Sequence, residues 1–312
     1  TEQRILVLVQ LAGGNDGLNT VIPYIDPEYQ KARPGIAVGK DAVLKIGDDL
    51  GLHPQLSGFR EIFDEGHLAI IQGVGYPNPN RSHFRSTDIW HSARPDVEYT
   101  EDGWLGRSLD LHAERHAGKT PALALGTDRL PLALVCSKLS VPTVQNVSEF
   151  QLQLGAGSAA SRKLRGKLIR ELADRASVTG SDLDFLRKTT LTALSTAKKL
   201  EKVTASYKPA AEYPANGLGE KLKTVAQLIV GDFGTNIFFV SLGGFDTHSK
   251  QDGAHQALLG ELSTAIRAFY LDLKEHKLQD RVLLATYSEF GRRVKENGSL
   301  GTDHGAASQM FV

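Results

Sequence analysis

Residues 236–248, NIFFVSLGGFDTH, constrain this chain more than any other stretch. The unbroken apolar run Ile237–Leu242 predicts a strand covered on both faces, as in a parallel sheet. Gly243 and Gly244 end it, and glycine permits a sharp turn or a close backbone approach. Asp246 and His248 follow at once, where the carboxyl ends of parallel strands carry their chemistry. The same order recurs twice. Ile5–Leu11 is an apolar run, broken by Gly13 and Gly14 and followed by Asn15 and Asp16. Val282–Tyr287 is another, followed by Glu289, Arg292, Arg293 and a Gly/Asn/Ser loop that delivers Asp303 and His304. Three distant segments thus bring Asp16, Asp246, His248, Asp303 and His304 to strand ends. Carboxylates and imidazoles gathered on such loops suit a divalent cation. Zinc accepts both donor types, and manganese suits such mixed sites. Five ligands exceed one four-coordinate ion, so one or two ions are expected.

Composition sets the remaining bounds. The 312 residues are 41% hydrophobic and 23% charged, an ordinary globular balance. A chain of this length buries roughly three quarters of its surface and supports a full core. One α/β domain over residues 1–312 is expected, with a helical insertion at about 158–208. Lys plus Arg and Asp plus Glu are both 36, so no basic excess points to nucleic acid. No apolar run approaches the length of a membrane span. The single cysteine, Cys136, excludes an internal disulfide and a cysteine metal cluster, and reads as a small packed residue. The chain starts at Thr1, four residues ahead of the first strand, which suits a trimmed or processed chain.

Further elements follow from pattern. Residues 23–50 read as a long loop with one short hairpin. His53-Pro54 opens a helix with Leu56, Phe59, Ile62 and Phe63 at helical spacing. Residues 68–73 read as a strand completing half of a βαβ unit, and residues 121–126 and 131–136 as two more strands. Residues 142–150 read as an irregular crossover. Leucines at helical spacing on either side of Gly180 predict the two helices of the insertion. Their mixed charges read as a solvated face. Helix and strand then alternate to residue 287, as in a doubly wound sheet.

The loop 75–80 leads to Arg81-Ser82-His83, where a helix can start with Ser82 as N-cap. A helix N-terminus favours an anion. Ser82, flanked by Arg81 and Arg85, is placed to attack a phosphate or sulfate that the arginines hold by their planar fork. Ser86 is a second candidate hydroxyl, and His83 a proton carrier or metal contact. The bland alternative is a plain N-cap serine with surface arginines.

Assembled, the motifs GGNDGLN, HP, RSHF, GWLGR, LGGFDTH, SEFGR and TDHG resemble an uncharacterised bacterial family. That family is one of unknown function, related to the alkaline phosphatase and sulfatase superfamily. The resemblance covers nearly the whole chain except 158–215. It implies a three-layer α/β/α sandwich of alkaline phosphatase type with a mainly parallel sheet. It also implies two divalent metals and a serine nucleophile. By position, Asp16 matches a ligand of one metal, Ser82 the nucleophile, and Asp303 with His304 the D-H-G ligands. Asp246 matches the Asp of the second metal, with His248 and His255 as rival partners. The superfamily pattern has a further His beyond D-H-G. None follows His304, so either the protein continues past Val312 or the second site is incomplete. Relatives of this kind imply export, to the periplasm or outside the cell. The expected activity is metal-dependent hydrolysis of small-molecule or glycan phosphate or sulfate monoesters. The alternative is a non-catalytic exported binding or assembly protein that keeps the fold and a partial metal site. An esterase triad is disfavoured because no G-x-S-x-G elbow is present.

Overall fold

The computed structural model describes residues 4–116, 119–145, 158–175, 178 and 181–312. In chain order the elements are β1 (Ile5–Leu11), β2 (Val21–Ile22), α1 (Pro27–Ala32), β3 (Leu44–Lys45), β4 (Gly51–Leu52), α2 (Ser57–Asp64), β5 (Ile70–Val74), α3 (His83–Ser92) and α4 (Trp104–Asp110). There follow β6 (Ala122–Leu125), β7 (Thr143–Val144), α5 (Ala159–Ala173), α6 (Asp182–Ser206), α7 (Gly217–Val230), β8 (Ile237–Leu242), α8 (Gln251–Glu275), β9 (Val282–Tyr287) and β10 (Ser308–Phe311).

Five strands form one parallel sheet in the order β7-β6-β8-β1-β9. The period-2 alternation of strand side chains divides its residues between two cores. Val7, Val9, Leu11, Leu123, Phe238 and Val240 face α2, α7 and α8. Leu8, Ala122, Ala124, Phe239 and Ala285 face the other way, toward α4 and Trp90 of α3. A sheet buried on both faces needs apolar residues at every position, and that is the origin of the unbroken runs. The result is a three-layer α/β/α arrangement. Register completes the frame: Leu11 lies opposite Leu242, and Gln10 opposite Tyr287. The three loops after β1, β8 and β9 therefore leave the sheet at one edge.

Some expectations are corrected. Residues 70–74 form a strand outside the parallel sheet, as β5 pairs antiparallel with β10. Three of its five residues are exposed, so it is a surface ribbon and not part of a βαβ unit. Residues 132–134 form a 3₁₀ turn in place of a strand, with Leu134 N–H donating to the Pro131 carbonyl. The loop 23–50 contains α1 as well as part of the ribbon β2-β4-β3. The insertion consists of α5 and α6, and Leu194, Thr196 and Val203 of α6 are buried. Val203 joins the main core, so this helix is more than a detachable cover. Gly180 and most of the 142–150 crossover lie outside the described residues. No helix among the described residues is long and apolar enough to cross a membrane.

Candidate metal centre

The turn after β1 comes within backbone contact of the loop after β8. Gly13 has φ +121°, and a Cβ there would lie 2.4 Å from Asp246 N. Only glycine meets both demands. β9 pins the same turn from its other side. Ser288 Oγ donates to Leu11 O at 2.6 Å and accepts from Asn15 N at 2.9 Å, while Gly13 N donates to Glu289 Oε1 at 2.8 Å. Arg292 binds the loops into one body. Its buried guanidinium donates to the carbonyls of Gly13, Gly14 (2.6 Å), Phe245 (2.9 Å) and Thr302 (2.8 Å), and to Asp246 Oδ1 at 2.8 Å. Nε, Nη1 and Nη2 of the planar fork together reach five acceptors, a task lysine cannot perform.

On this platform four side chains converge. Asp246 Oδ1 lies 3.0 Å from His248 Nε2 and 3.1 Å from His304 Nε2, and Asp246 Oδ2 lies 3.4 Å from His83 Nε2. The two Nε2 atoms of His248 and His304 are 2.9 Å apart. His83, Asp246 and His304 form a group that could hold a metal ion, each with one donor atom within 4.8 Å of the others.

The opposite ring nitrogens orient the rings. His83 Nδ1 is 2.8 Å from Glu289 Oε1, and His304 Nδ1 is 2.8 Å from the Arg81 carbonyl. Carboxylate and carbonyl oxygens only accept, so both Nδ1 atoms carry protons. His83 and His304 therefore turn their Nε2 atoms toward Asp246. His83 Nε2 is buried without a hydrogen-bond partner among the described residues. Imidazoles backed at Nδ1 by a carboxylate or carbonyl are the usual support of metal ligands, and here both leave Nε2 facing the carboxylate. The donor set fits a divalent ion such as zinc. Burial acts to raise the pKa of Asp246, but hydrogen bonds with Arg292 and His304 and the charges of Arg292 and His248 lower it to about 2. It is ionised and ready to accept a cation.

α3 supplies His83 by a simple device. His83, Ser86 and Trp90 stand at i, i+3 and i+7, on one face of the helix. Ser86 Oγ donates to Glu289 O at 2.5 Å and Trp90 Nε1 to the same oxygen at 2.9 Å. The helix is thus locked onto the segment that holds His83 Nδ1. Ser86 is buried there as a tether, with Tyr76 Oη 2.9 Å away, and is not a free hydroxyl.

The remaining sequence candidates are placed as follows. Asp16 is buried apart from the cluster. Arg33 holds its carboxylate from two sides, at 2.6 and 2.9 Å, and Gln251 Nε2 donates to it at 2.5 Å. Burial opposes its ionisation, yet the Arg33 charge and hydrogen bonds lower its pKa. Its metal-binding assignment is therefore corrected: a guanidinium occupies the carboxylate. Arg85 is corrected as well. Its guanidinium donates to the carbonyls of Pro95, Val97 and Glu98 and staples that loop. Arg81 contributes its carbonyl to His304, and its side chain is exposed. Ser82 is the N-cap of α3, exposed, and its hydroxyl makes no capping hydrogen bond. Asp303 is half-buried, 3.4 Å from His248 Nδ1, and accepts from Asn297 Nδ2 at 3.1 Å. The Asn297 hydrogen bond is the main reason its pKa is lowered; slight burial opposes this, and His248 and Arg293 add to it. His255 is buried and donates to Asn15 Oδ1 at 2.9 Å, with burial lowering its pKa to about 4. It belongs to the interior and not to the cluster. Cys136 is half-buried, and burial, then Asp110, push its thiol up to about 12. Such a thiol is inert.

Glu289 and Arg33 have no assigned role in the sequence reading. Glu289 shares the strand-end position of the other candidates, which is the signal for it. Arg33 lies in the segment read as a long loop with one short hairpin, and nothing in its neighbours marks it.

Comparison with known proteins comes to this. A family model described as "Protein of unknown function (DUF1501)" matches residues 3–312. No curated protein matches. Among solved structures, alkaline phosphatase from the Antarctic bacterium TAB5 is similar at 12% identity, with 99% of this chain and 91% of that chain covered and a TM-score of 0.35. The chain belongs to the DUF1501 family.

Proposed function

We propose that this DUF1501 protein is a metal-dependent hydrolase of phosphate or sulfate monoesters, with Ser82 as nucleophile. The observation that carries the reading is the convergence of His83 Nε2 and His304 Nε2, each ring held from behind at Nδ1, on ionised Asp246 at the start of α3. His83, Asp246, His248 and His304 would hold one ion, zinc or manganese, with Asp303 orienting His248 through Nδ1. When bound, that ion polarises an ester oxygen and lowers the pKa of a hydroxyl beside it. Ser82 stands between two residues that touch the cluster: the Arg81 carbonyl holds His304, and His83 is itself a member. Its uncommitted hydroxyl would attack phosphorus or sulfur and displace the ester's alcohol, which leaves with the proton the hydroxyl loses; water would then release phosphate or sulfate and restore the serine. The first-turn N–H groups of α3 and the exposed Arg81 side chain receive the developing negative charge. A glycan or small-molecule ester is the substrate class, and export to the periplasm or beyond is the expected location.

A second reading has its own observation. Arg33 on Asp16 and the engaged Arg85 remove a second cation site and one oxyanion clamp, which favours a binding protein that retains a single ion.

Turnover separates the two. Protein equilibrated with zinc or manganese is assayed on 4-nitrophenyl phosphate and sulfate, with bound metal counted by mass spectrometry. The hydrolase reading expects about one ion per chain, and for Ser82→Ala a rate loss of several orders of magnitude with metal retained. Bound metal without turnover of either ester would leave the binding protein. A chain that takes up no metal would sink both.

A further inference from the structure

At the opposite edge of the sheet, where β8 begins, two cavities adjoin. One of 830 Å³ is lined by His112, Arg115, His116, Lys119 and Lys199; its neighbour of 610 Å³ adds Lys138, Arg170 and Lys188. His116, Lys119 and Ser195 line both, so the two form one continuous groove. Against these cations the walls carry Glu114 and Asp232, and Lys188 is paired with Asp184. Arg115, Lys119, Lys138 and Arg170 have no acidic partner among the described residues. The chain as a whole has equal numbers of acidic and basic residues, so this concentration is local. The pKa of His116 is lowered by burial first and then by the charges of Lys119, His112 and Arg115, a sign of the positive field inside the groove.

We infer that this groove docks a linear oligosaccharide bearing several sulfate or phosphate groups. Clustered cations without counter-charges repel one another, and a multiply charged anion relieves that repulsion. A single phosphate would meet only part of an array spread over two cavities. Ser108 and Ser140 lie among the cations and offer hydrogen bonds to sugar hydroxyls. A concave wall does not fit a flat bilayer. The one Phe, Tyr or Trp on these walls among the described residues, Phe233, is buried in the core, so no exposed Phe, Tyr or Trp is present there for stacking bases. The groove lies across the sheet from Asp246, so docking is independent of the hydrolase reading.

The test is calorimetric titration with a size-defined, heparin-derived hexasaccharide at two salt concentrations. Binding is expected to weaken with salt, and the double variant Arg115→Glu/Lys119→Glu to lose affinity on the order of tenfold or more. The equally charged change Lys40→Glu/Lys295→Glu, elsewhere on the surface, is expected to leave affinity unaltered. His304→Ala is expected to bind as the parent does, whatever becomes of its turnover. If Arg115→Glu/Lys119→Glu fails to fold, Lys138→Glu/Arg170→Glu puts the same question. Absence of binding, or equal loss in groove and control variants, overturns the inference. So does a single-stranded oligonucleotide or a vesicle of anionic lipid that binds as tightly and loses as much.

Discussion

Asp16 meets a guanidinium where the sequence points to a metal ion, and the two assignments predict opposite outcomes for one substitution. Asp16→Asn would leave the fully buried Arg33 without its counter-charge. Breaking such a pair from one side costs about 3–5 kcal/mol. Thermal unfolding is expected to show this loss, while the ion content at the His83–Asp246–His304 cluster stays that of the parent. A drop in bound metal with unchanged stability would return Asp16 to the metal site. Glu289 is the converse case. It touches no proposed substrate, and it holds the Nδ1 proton of His83 in place. Glu289→Gln is expected to weaken metal affinity by about 10–100-fold, the usual effect of losing a group that orients a ligand. Metal titration measures this directly. Glu289→Asp restoring part of the affinity would distinguish orientation from a general folding defect.

The turn after β1 is an element with one permissible residue at its apex. Gly13→Ala would need both a left-handed backbone and a methyl group 2.4 Å from Asp246 N. The turn would have to leave the loop after β8, carrying Asp246 off the imidazoles. Loss of metal binding is expected while far-UV circular dichroism is kept; a variant that binds metal normally would show the contact to be dispensable. How legible these elements are depends on burial. β1, β8 and β9 stand out because strands covered on both faces are apolar throughout, and their strand-end residues follow from that. The same short apolar signal misleads at β5, because residues 70–74 do not encode whether their partner is β10 or a central strand. At 131–136 the fixed φ of Pro131 wins over apolar content and produces a turn. His83 is legible as a residue near Ser82, but its pairing with Glu289 spans 206 residues, and no local pattern carries such a distance. Arg85 is misplaced for a related reason: a helix face is chosen by what it packs against, and α3 gives its inner face to His83, Ser86 and Trp90.

Across the whole molecule, stability couples to pH through buried imidazoles. His91 and His255 are kept neutral mainly by burial, each lowered from 6.5 to about 4. As pH falls below 6.5 the unfolded chain takes up these protons, and the folded chain does not until about 4. Their contribution is complete above 6.5, declines across that window and is lost below it. At 1.36 kcal/mol per unit, each accounts for on the order of 3 kcal/mol. The melting temperature is expected to fall steadily from pH 7 to pH 4.5, and to fall less in His91→Gln/His255→Gln. A flat profile in the parent would contradict the buried neutral state. The strand order has a consequence in time as well. β1 sits inside the parallel sheet between β8 and β9, both more than two hundred residues further along the chain. During synthesis at about 5–20 residues per second, the apolar strand Ile5–Leu11 therefore waits roughly 10–45 s for its first neighbour. For that interval a nascent chain presents an unpaired, sticky edge, and the Asp246 cluster cannot exist before its last ligand is translated. Metal loading at the proposed site would thus be a late event, and a holdase has its clearest opportunity at the first strand.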